Sequence, residues 1–140
     1  MNHEVTKAQR HRVEPIPERE NRAAKIVVNA AFAVHTQLGP GLLESVYEKC
    51  LCHAIRRRGL QVQRQLFLPI EFEDFTINSG LRLDIVVDEC LVVEVKAVEI
   101  LMPVHRAQLL TYLRLPGRRL GLLINFNVQL IRDGITRVAC

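Results

Sequence analysis

The stretch that decides the fold reads LRLDIVVDECLVVEVK and runs from Leu81 to Lys96. Two apolar, β-branched runs flank the polar residues around Glu89, a pattern typical of a β-hairpin. A turn centred on Glu89 places Asp84 on the first strand directly opposite Glu94 on the second. Directly paired residues have Cβ atoms about 4.5–5.5 Å apart, and like charges at that distance repel each other. The sequence therefore predicts two carboxylates that need a cation or a shifted pKa.

Lys96 adds a positive charge to the same patch. It lies two residues after Glu94, so both side chains point to one face of the strand. A strand that is hydrophobic on both faces is normally buried and rarely carries charged residues. The alternative is a half-exposed strand whose charges simply face solvent. We favour a divalent-metal site beside a lysine, because a metal polarises a phosphoryl group and lowers the pKa of the attacking water in phosphodiester hydrolysis.

Composition limits the other possibilities. The chain has 140 residues, of which 49% are hydrophobic, enough for one domain with its own core. It has no apolar run near the roughly 18 residues of a membrane-spanning helix and no apolar secretory segment at its start. The four cysteines lack metal-ligand spacing, which is typical of free thiols in a reducing cytoplasm. The net charge of +4 permits a polyanionic partner without requiring one.

The rest of the chain predicts a flexible arm, residues 1–20, followed by a single domain, residues 21–140. Apolar spacing and chain breakers predict three helices, over Arg22–Leu38, Leu42–Arg58 and Val104–Leu113, the last beginning at Pro103. Strands are predicted at 61–68 and 70–73 with a bend at Pro69, in the central hairpin, at 120–126, and in a last hairpin, 129–138, that turns at Asp133-Gly134. The order is ααβββαββ, an α/β fold with helices around a central mixed sheet.

Three more side chains are candidates for the charged site. On the second predicted helix, Glu44 shares a stripe with Tyr47 and Leu51, which would bring it toward the core. A place near the helix N-terminus, where the dipole favours a carboxylate, explains Glu44 equally well. Gln108 and Tyr112 lie four residues apart on the third predicted helix and could hydrogen-bond a phosphate. Pairs of this kind also occur on many helices without a functional role.

Several spaced motifs together resemble the GxxExxY family, which lies within the PD-(D/E)xK nuclease superfamily. The naming motif is Gly41-Leu42-Leu43-Glu44-Ser45-Val46-Tyr47. The superfamily signature corresponds to Asp84 followed by Glu94-Val95-Lys96, and Gln108 with Tyr112 is similar to the Gln-xxx-Tyr element of exonuclease-like members. Gly121–Phe126 is similar to the strand that closes the family's core. The resemblance covers about Ala24 to Val138.

The resemblance implies a restriction-endonuclease-like core and a metal-dependent nuclease. Its implied ligands for Mg²⁺ or Mn²⁺ are Asp84, Glu94, the carbonyl of Val95, and Glu44. Lys96 would assist hydrolysis, while Gln108 and Tyr112 would line the site. The expected substrate is nucleic acid, with DNA favoured over RNA. The alternative is a non-catalytic module that keeps the fold and binds nucleic acid or protein, and either kind of protein could act as a homodimer or with a partner protein.

Overall fold

The computed structural model describes residues 14–140. Within this range there are three α-helices, α1 (Glu18–Leu38), α2 (Glu44–Arg57) and α3 (Pro103–Arg114). The strands are β1 (Val62–Phe72), β2 (Phe75–Val87), β3 (Leu91–Lys96), β4 (Leu120–Asn125) and β5 (Ile135–Ala139). A short 3₁₀ helix, Ile131–Gly134, precedes β5. The predicted order ααβββαββ is confirmed.

The five strands form one mixed sheet in the order β1-β2-β3-β4-β5. Strands β3 and β4 are parallel and are connected through α3, whereas the other neighbours are antiparallel. Helices α1 and α2 cover one face of the sheet, over a core that includes Ile85, Val93 and Ile124. Helix α3 covers the other face, over Val92 and Leu123. The α/β class with a helix-flanked mixed sheet is therefore confirmed, in agreement with a restriction-endonuclease-like core.

The β1–β2 hairpin extends well beyond the rest of the sheet. Strand β2 pairs with β1 from Phe75 onward, but it pairs with β3 only from Ile85 to Val87. The outer part of this hairpin is therefore a two-stranded ribbon. Where it leaves the sheet, β2 and β3 separate and leave a fork between them.

Pro69 bends β1 without dividing it. The two predicted strands, 61–68 and 70–73, are one strand whose register shifts between Leu68 and Ile70. Gly80 faces this bend, and a Cβ there would lie 2.9 Å from side-chain atoms of Ile70. The missing side chain lets the bent strand lie close to β2, and because β1 is an edge strand, Pro69 removes no hydrogen bond from the sheet interior.

Helix α1 begins four residues before its predicted start at Arg22. Its first turn follows Pro17 and carries Glu18 and Glu20, where the helix dipole favours acidic side chains. These residues are polar, so they add nothing to the apolar period from which the start was predicted. The predicted arm, residues 1–20, lies mostly outside the described residues, and its last three residues belong to α1. No helix within residues 14–140 is long and apolar enough to cross a membrane.

The predicted last hairpin, residues 129–138, is wrong. Asp133 and Gly134 end the 3₁₀ helix, and β5 pairs with β4 and not with a strand immediately before it. Gly134 also lacks the positive φ that a two-residue hairpin turn of this kind requires. Glycine is needed for a different reason, since a Cβ at this position would lie 2.1 Å from the carbonyl oxygen of Asn125.

Candidate active site

Asp84 and Glu94 meet in the fork between β2 and β3. The last backbone pair before the strands separate joins Ile85 to Val93, so the next residue on each strand is one of the two carboxylates. Both side chains are buried, with 7% of Asp84 and 3% of Glu94 exposed. The structure thus places the two carboxylates together inside hydrophobic strands.

Each carboxylate accepts a hydrogen bond from the backbone of the opposite strand. The N–H of Asp84 donates to Oε1 of Glu94 at 3.2 Å, and the N–H of Val95 donates to Oδ2 of Asp84 at 3.0 Å. These crossed bonds satisfy backbone donors that the separating strands no longer pair. A carboxylate has about four acceptor sites, so each retains capacity for a further ligand.

The electrostatics of the pair favour a bound proton or a bound cation. Burial raises the pKa of Glu94 to about 9, and the negative charge of Asp84 acts in the same direction. The ammonium group of Lys96, half-buried at the end of β3, lowers the pKa of Glu94 but does not cancel these effects. Without a cation, the pair therefore holds a proton at neutral pH.

The backbone of Val95 also faces the fork. The carbonyl of Lys96 accepts from the N–H of Phe126 at 2.9 Å, so the backbone groups of Lys96 point toward β4. The N–H of Val95 points the other way, toward Asp84. The N–H and C=O of one strand residue point to the same side. The Val95 carbonyl is therefore directed into the fork, while its side chain is buried on the α1–α2 face.

Helix α3 contributes Gln108 and Tyr112. The side-chain amide of Gln108 donates to the hydroxyl of Tyr112 at 2.9 Å. Burial raises the pKa of Tyr112, and the charges of Glu94 and Asp84 act in the same direction. Tyr112 is thus close enough to sense the carboxylates and remains a hydroxyl donor at neutral pH, with Gln108 fixing its position.

The structure brings Glu48, and not Glu44, toward the fork. Glu44 is exposed on the first turn of α2, so the expectation that its stripe would draw it toward the core is wrong. Glu48 is only 6% exposed, accepts from Nε2 of Gln65 at 2.5 Å and lies 3.6 Å from Nε of Arg64. Burial raises the pKa of Glu48; the Gln65 hydrogen bond opposes this, and the charge of Asp84 adds to it.

Sequence reasoning missed Glu48, although a signal for it was present. The buried stripe of α2 consists of Tyr47, Glu48, Leu51, Cys52 and Ile55. Spacings of three and four residues put Glu48 on the same helix face as Leu51 and Cys52. A single carboxylate inside an apolar stripe is the signal that distinguishes it from Glu44.

Gln65, the hydrogen-bond partner of Glu48, lies on β1 at the position opposite Asp84 of β2. It falls between the pairs Arg64–Ile85 and Leu66–Leu83 and has a φ of 55°. Residues other than glycine rarely adopt this left-handed conformation, and such strained positions cluster at functional sites. The strain at Gln65 therefore coincides with the carboxylate cluster.

Tyr47 of the naming motif holds α2 in place. Its hydroxyl donates to the carbonyl of Gly39 and accepts from the N–H of Leu42 at 3.1 Å. Its ring stacks on Phe126, with the ring centres 4.7 Å apart. The tyrosine ties the loop before α2 to the end of β4, which fixes the helix that carries Glu48.

The donor set fits a hard divalent cation. Within residues 14–140, no three His, Cys, Asp or Glu side chains converge into a complete metal cage. Mg²⁺ does not need one, because it is usually held by one or two carboxylates together with waters and substrate phosphates. The buried pair of Asp84 and Glu94, with the Val95 carbonyl beside it, provides such a set.

The fold and the carboxylate pair together define an α/β domain with a candidate metal centre. A family model for the PD-(D/E)XK nuclease superfamily matches residues 21–138, and the chain belongs to that superfamily. Nucleases of this superfamily typically use divalent metals. Neither the search of curated proteins nor that of solved structures found a match to the chain.

Proposed function

We propose that this protein is a metal-dependent nuclease that hydrolyses phosphodiester bonds in nucleic acid, with DNA as the substrate. The observation that supports this most strongly is the burial of Asp84 against Glu94, because two charged carboxylates buried together are costly and a bound cation relieves that cost. Membership of the nuclease superfamily supports a nucleic-acid substrate. We further assign the chain to the GxxExxY group on its motif from Gly41 to Tyr47, and a cytoplasmic location remains a prediction.

Asp84, Glu94 and the carbonyl of Val95 are the proposed ligands of Mg²⁺ or Mn²⁺. When bound there, the metal would polarise the phosphoryl group and lower the pKa of the attacking water. We propose Glu48 in place of Glu44 as the carboxylate that α2 contributes, because Glu48 is the one buried toward Asp84. Glu48 would act by orienting groups around the pair.

Two further residues supply charge and a hydrogen-bond donor. Lys96 follows Glu94 on the same face of β3 and would stabilise negative charge as it develops on the phosphate. Tyr112, held by Gln108, would donate its hydroxyl to a phosphate oxygen.

A cleavage assay tests the proposal. Wild-type protein with Mg²⁺ or Mn²⁺ should cleave DNA, and Asp84→Asn, Glu94→Gln and Lys96→Met should each reduce kcat/KM by roughly 100-fold or more. The matched control is the double variant Glu18→Gln/Asp133→Asn, which removes two carboxylate charges at exposed positions and should keep the wild-type rate. RNA assayed in parallel tests the choice of DNA.

Two outcomes would contradict the proposal. Cleavage by Asp84→Asn at the wild-type rate would remove the carboxylate pair from catalysis. Salt-sensitive DNA binding by a wild-type protein that cleaves neither DNA nor RNA would favour the non-catalytic binding module.

A further inference from the structure

The outer end of the β1–β2 hairpin carries an exposed apolar strip. Phe72 pairs with Phe75 at the hairpin end, and two residues further along each strand Ile70 pairs with Ile77 on the same face. Directly paired residues share a face of the ribbon, so these four side chains form one strip, here called the apolar tip, of which Ile70 is half-buried and the other three are exposed. Phe72 is 67% exposed and Phe75 is 64% exposed. Because an uncovered two-stranded ribbon is marginally stable in water and apolar patches mark interaction sites, the tip needs a partner.

The charges around the apolar tip restrict what that partner can be. Glu73 and Asp74 are exposed and form the turn that joins the two phenylalanines, while Glu71, also exposed, lies on the opposite face of the ribbon. Negative charge makes this end of the molecule a poor site for a nucleic-acid backbone. The partner surface must therefore combine apolar contact area with positive charge.

The same chain has such a surface between α1 and α2. A groove of about 530 Å³ there is lined by the small residues Ala33 and Ala54 together with the basic residues Lys49, His53 and Arg57; it is called the basic groove below. The three basic residues are spaced by four positions, so they follow one edge of α2 at intervals of about 6 Å. No lining residue in the described part of the chain is acidic.

We propose that the apolar tip of one copy of this chain docks in the basic groove of a second copy. Phe72 and Phe75 would fill the space beside the alanines, while Glu73 and Asp74 of the turn would lie against Lys49 and Arg57. An aromatic centre with a charged rim is the usual composition of a protein interface. Reciprocal exchange of the two tips closes a two-fold dimer with both surfaces covered.

A second copy explains both surfaces, whereas a nucleic acid in the basic groove would leave the apolar tip uncovered. The docking residues lie outside the fork, and none of them is a proposed ligand of the metal. Dimer formation therefore does not depend on the proposed nuclease activity, and either can fail without the other.

Sedimentation of charge-reversal variants tests the contact. Wild-type protein should sediment at twice the 16.0 kDa of one chain. The tip variant Glu73→Lys/Asp74→Lys and the groove variant Lys49→Glu/Arg57→Glu should each be monomeric at the same concentration. An equimolar mixture of the two should associate, because it restores one native contact, and all four changes in one chain should restore self-association. The control Lys25→Glu/Arg132→Glu reverses two exposed charges elsewhere and should remain dimeric.

A cross-link locates the contact directly. Cys50 lines the basic groove and is unpaired in the structure. In a Cys140→Ser background, Phe72→Cys should form a disulfide between chains under mild oxidation, and adding Cys50→Ser should abolish it. Wild-type protein that remains monomeric in the sedimentation experiment, even when its concentration is raised, would overturn the proposed contact. Cross-linking of Phe72→Cys that persists without Cys50 would overturn it as well. DNA binding in the groove without self-association would do the same.

Discussion

Glu94 keeps its proton at neutral pH because burial, together with the charge of Asp84, raises its pKa to about 9. The ordinary pKa of a glutamate is 4.5, so between that value and 9 the unfolded chain has lost a proton that the folded chain retains. The free energy of unfolding must then fall as pH rises across this window, by at most about 1.4 kcal/mol per pH unit. Below pH 4.5 both states are protonated and the effect disappears.

Glu94→Gln should remove this dependence. At about pH 8 we expect the variant to be more stable than wild type by about 1–3 kcal/mol, because the amide needs no proton to remain neutral beside Asp84. Urea unfolding from about pH 5 to pH 9 measures the effect. Glu18→Gln makes the same chemical change at an exposed position and should follow wild type. A Glu94→Gln variant whose stability falls with pH as steeply as that of wild type would contradict this assignment.

Glu48 and Glu44 can be separated by activity. Glu48→Gln should lower kcat/KM for DNA cleavage roughly 10-fold or more, as expected for a group that orients metal ligands. Glu44→Gln should cost much less, because Glu44 is exposed on the first turn of α2. The reverse ranking in a cleavage assay would restore Glu44 to the site and exclude Glu48.

The site residues differ in how far the sequence could predict them. The opposition of Asp84 and Glu94 follows from the turn around Glu89 alone, since a hairpin turn fixes its own register. The apolar stripe of α2 also marks Glu48 as its buried carboxylate, but whether that carboxylate approaches Asp84 depends on how the helix is rotated against the sheet. That rotation is set by distant contacts such as Tyr47 on Phe126, and a motif within one helix does not contain them.

Among the elements, the pairing of β3 could be predicted from local sequence, whereas the pairing of β5 could not. The hairpin of β2 and β3 was predictable because both partners lie within one local pattern. The partner of β5 is β4, and the chain between them forms a 3₁₀ helix that ends at Asp133-Gly134. The dipeptide Asp-Gly is compatible with the end of such a helix as well as with a hairpin turn. A turn signal shows that the chain bends, but not which strand the following residues join.

Gly134→Ala should test the close approach behind the β4–β5 connection. The added Cβ would lie 2.1 Å from the carbonyl oxygen of Asn125, so backbone must move to admit it. We expect a loss of about 2–3 kcal/mol in the free energy of unfolding, measured in urea. Asp133→Ala, at the exposed neighbouring position, should cost much less. Equal stability of Gly134→Ala and wild type would show that the connection is looser than the structure indicates.

In the whole molecule, the carboxylate cluster, the basic groove and the acidic hairpin end occupy separate places. The buried pair lies in the fork of the sheet, the basic groove lies between α1 and α2, and the acidic turn residues lie at the far end of the β1–β2 ribbon. The net charge of +4 gives no sign of this separation. The net charge of the chain therefore permits a polyanionic substrate, but only the fold shows which surfaces are basic and which are acidic.

Divalent metal should stabilise the whole protein in a pH-dependent manner. A cation at the pair must displace the proton of Glu94, so it should bind more tightly as pH rises. Mn²⁺ at about 100 times its Kd should raise stability by about 2.7 kcal/mol, visible as a higher Tm, and the gain at a fixed Mn²⁺ concentration should be larger near pH 8 than near pH 6. Asp84→Asn/Glu94→Gln should show no metal-dependent change, and an equal shift in that variant would contradict the proposed ligands.

The most direct test of the metal centre is a calorimetric Mn²⁺ titration of wild type and of Asp84→Asn/Glu94→Gln, each with and without a short DNA duplex. We expect wild type to bind Mn²⁺, more tightly with the duplex present because substrate phosphate completes the coordination. The double variant should show no binding at the fork, while Glu18→Gln/Asp133→Asn should bind as wild type does. Equal Mn²⁺ binding by wild type and the Asp84→Asn/Glu94→Gln variant, or no binding by wild type even with DNA, would contradict a metal centre at Asp84 and Glu94.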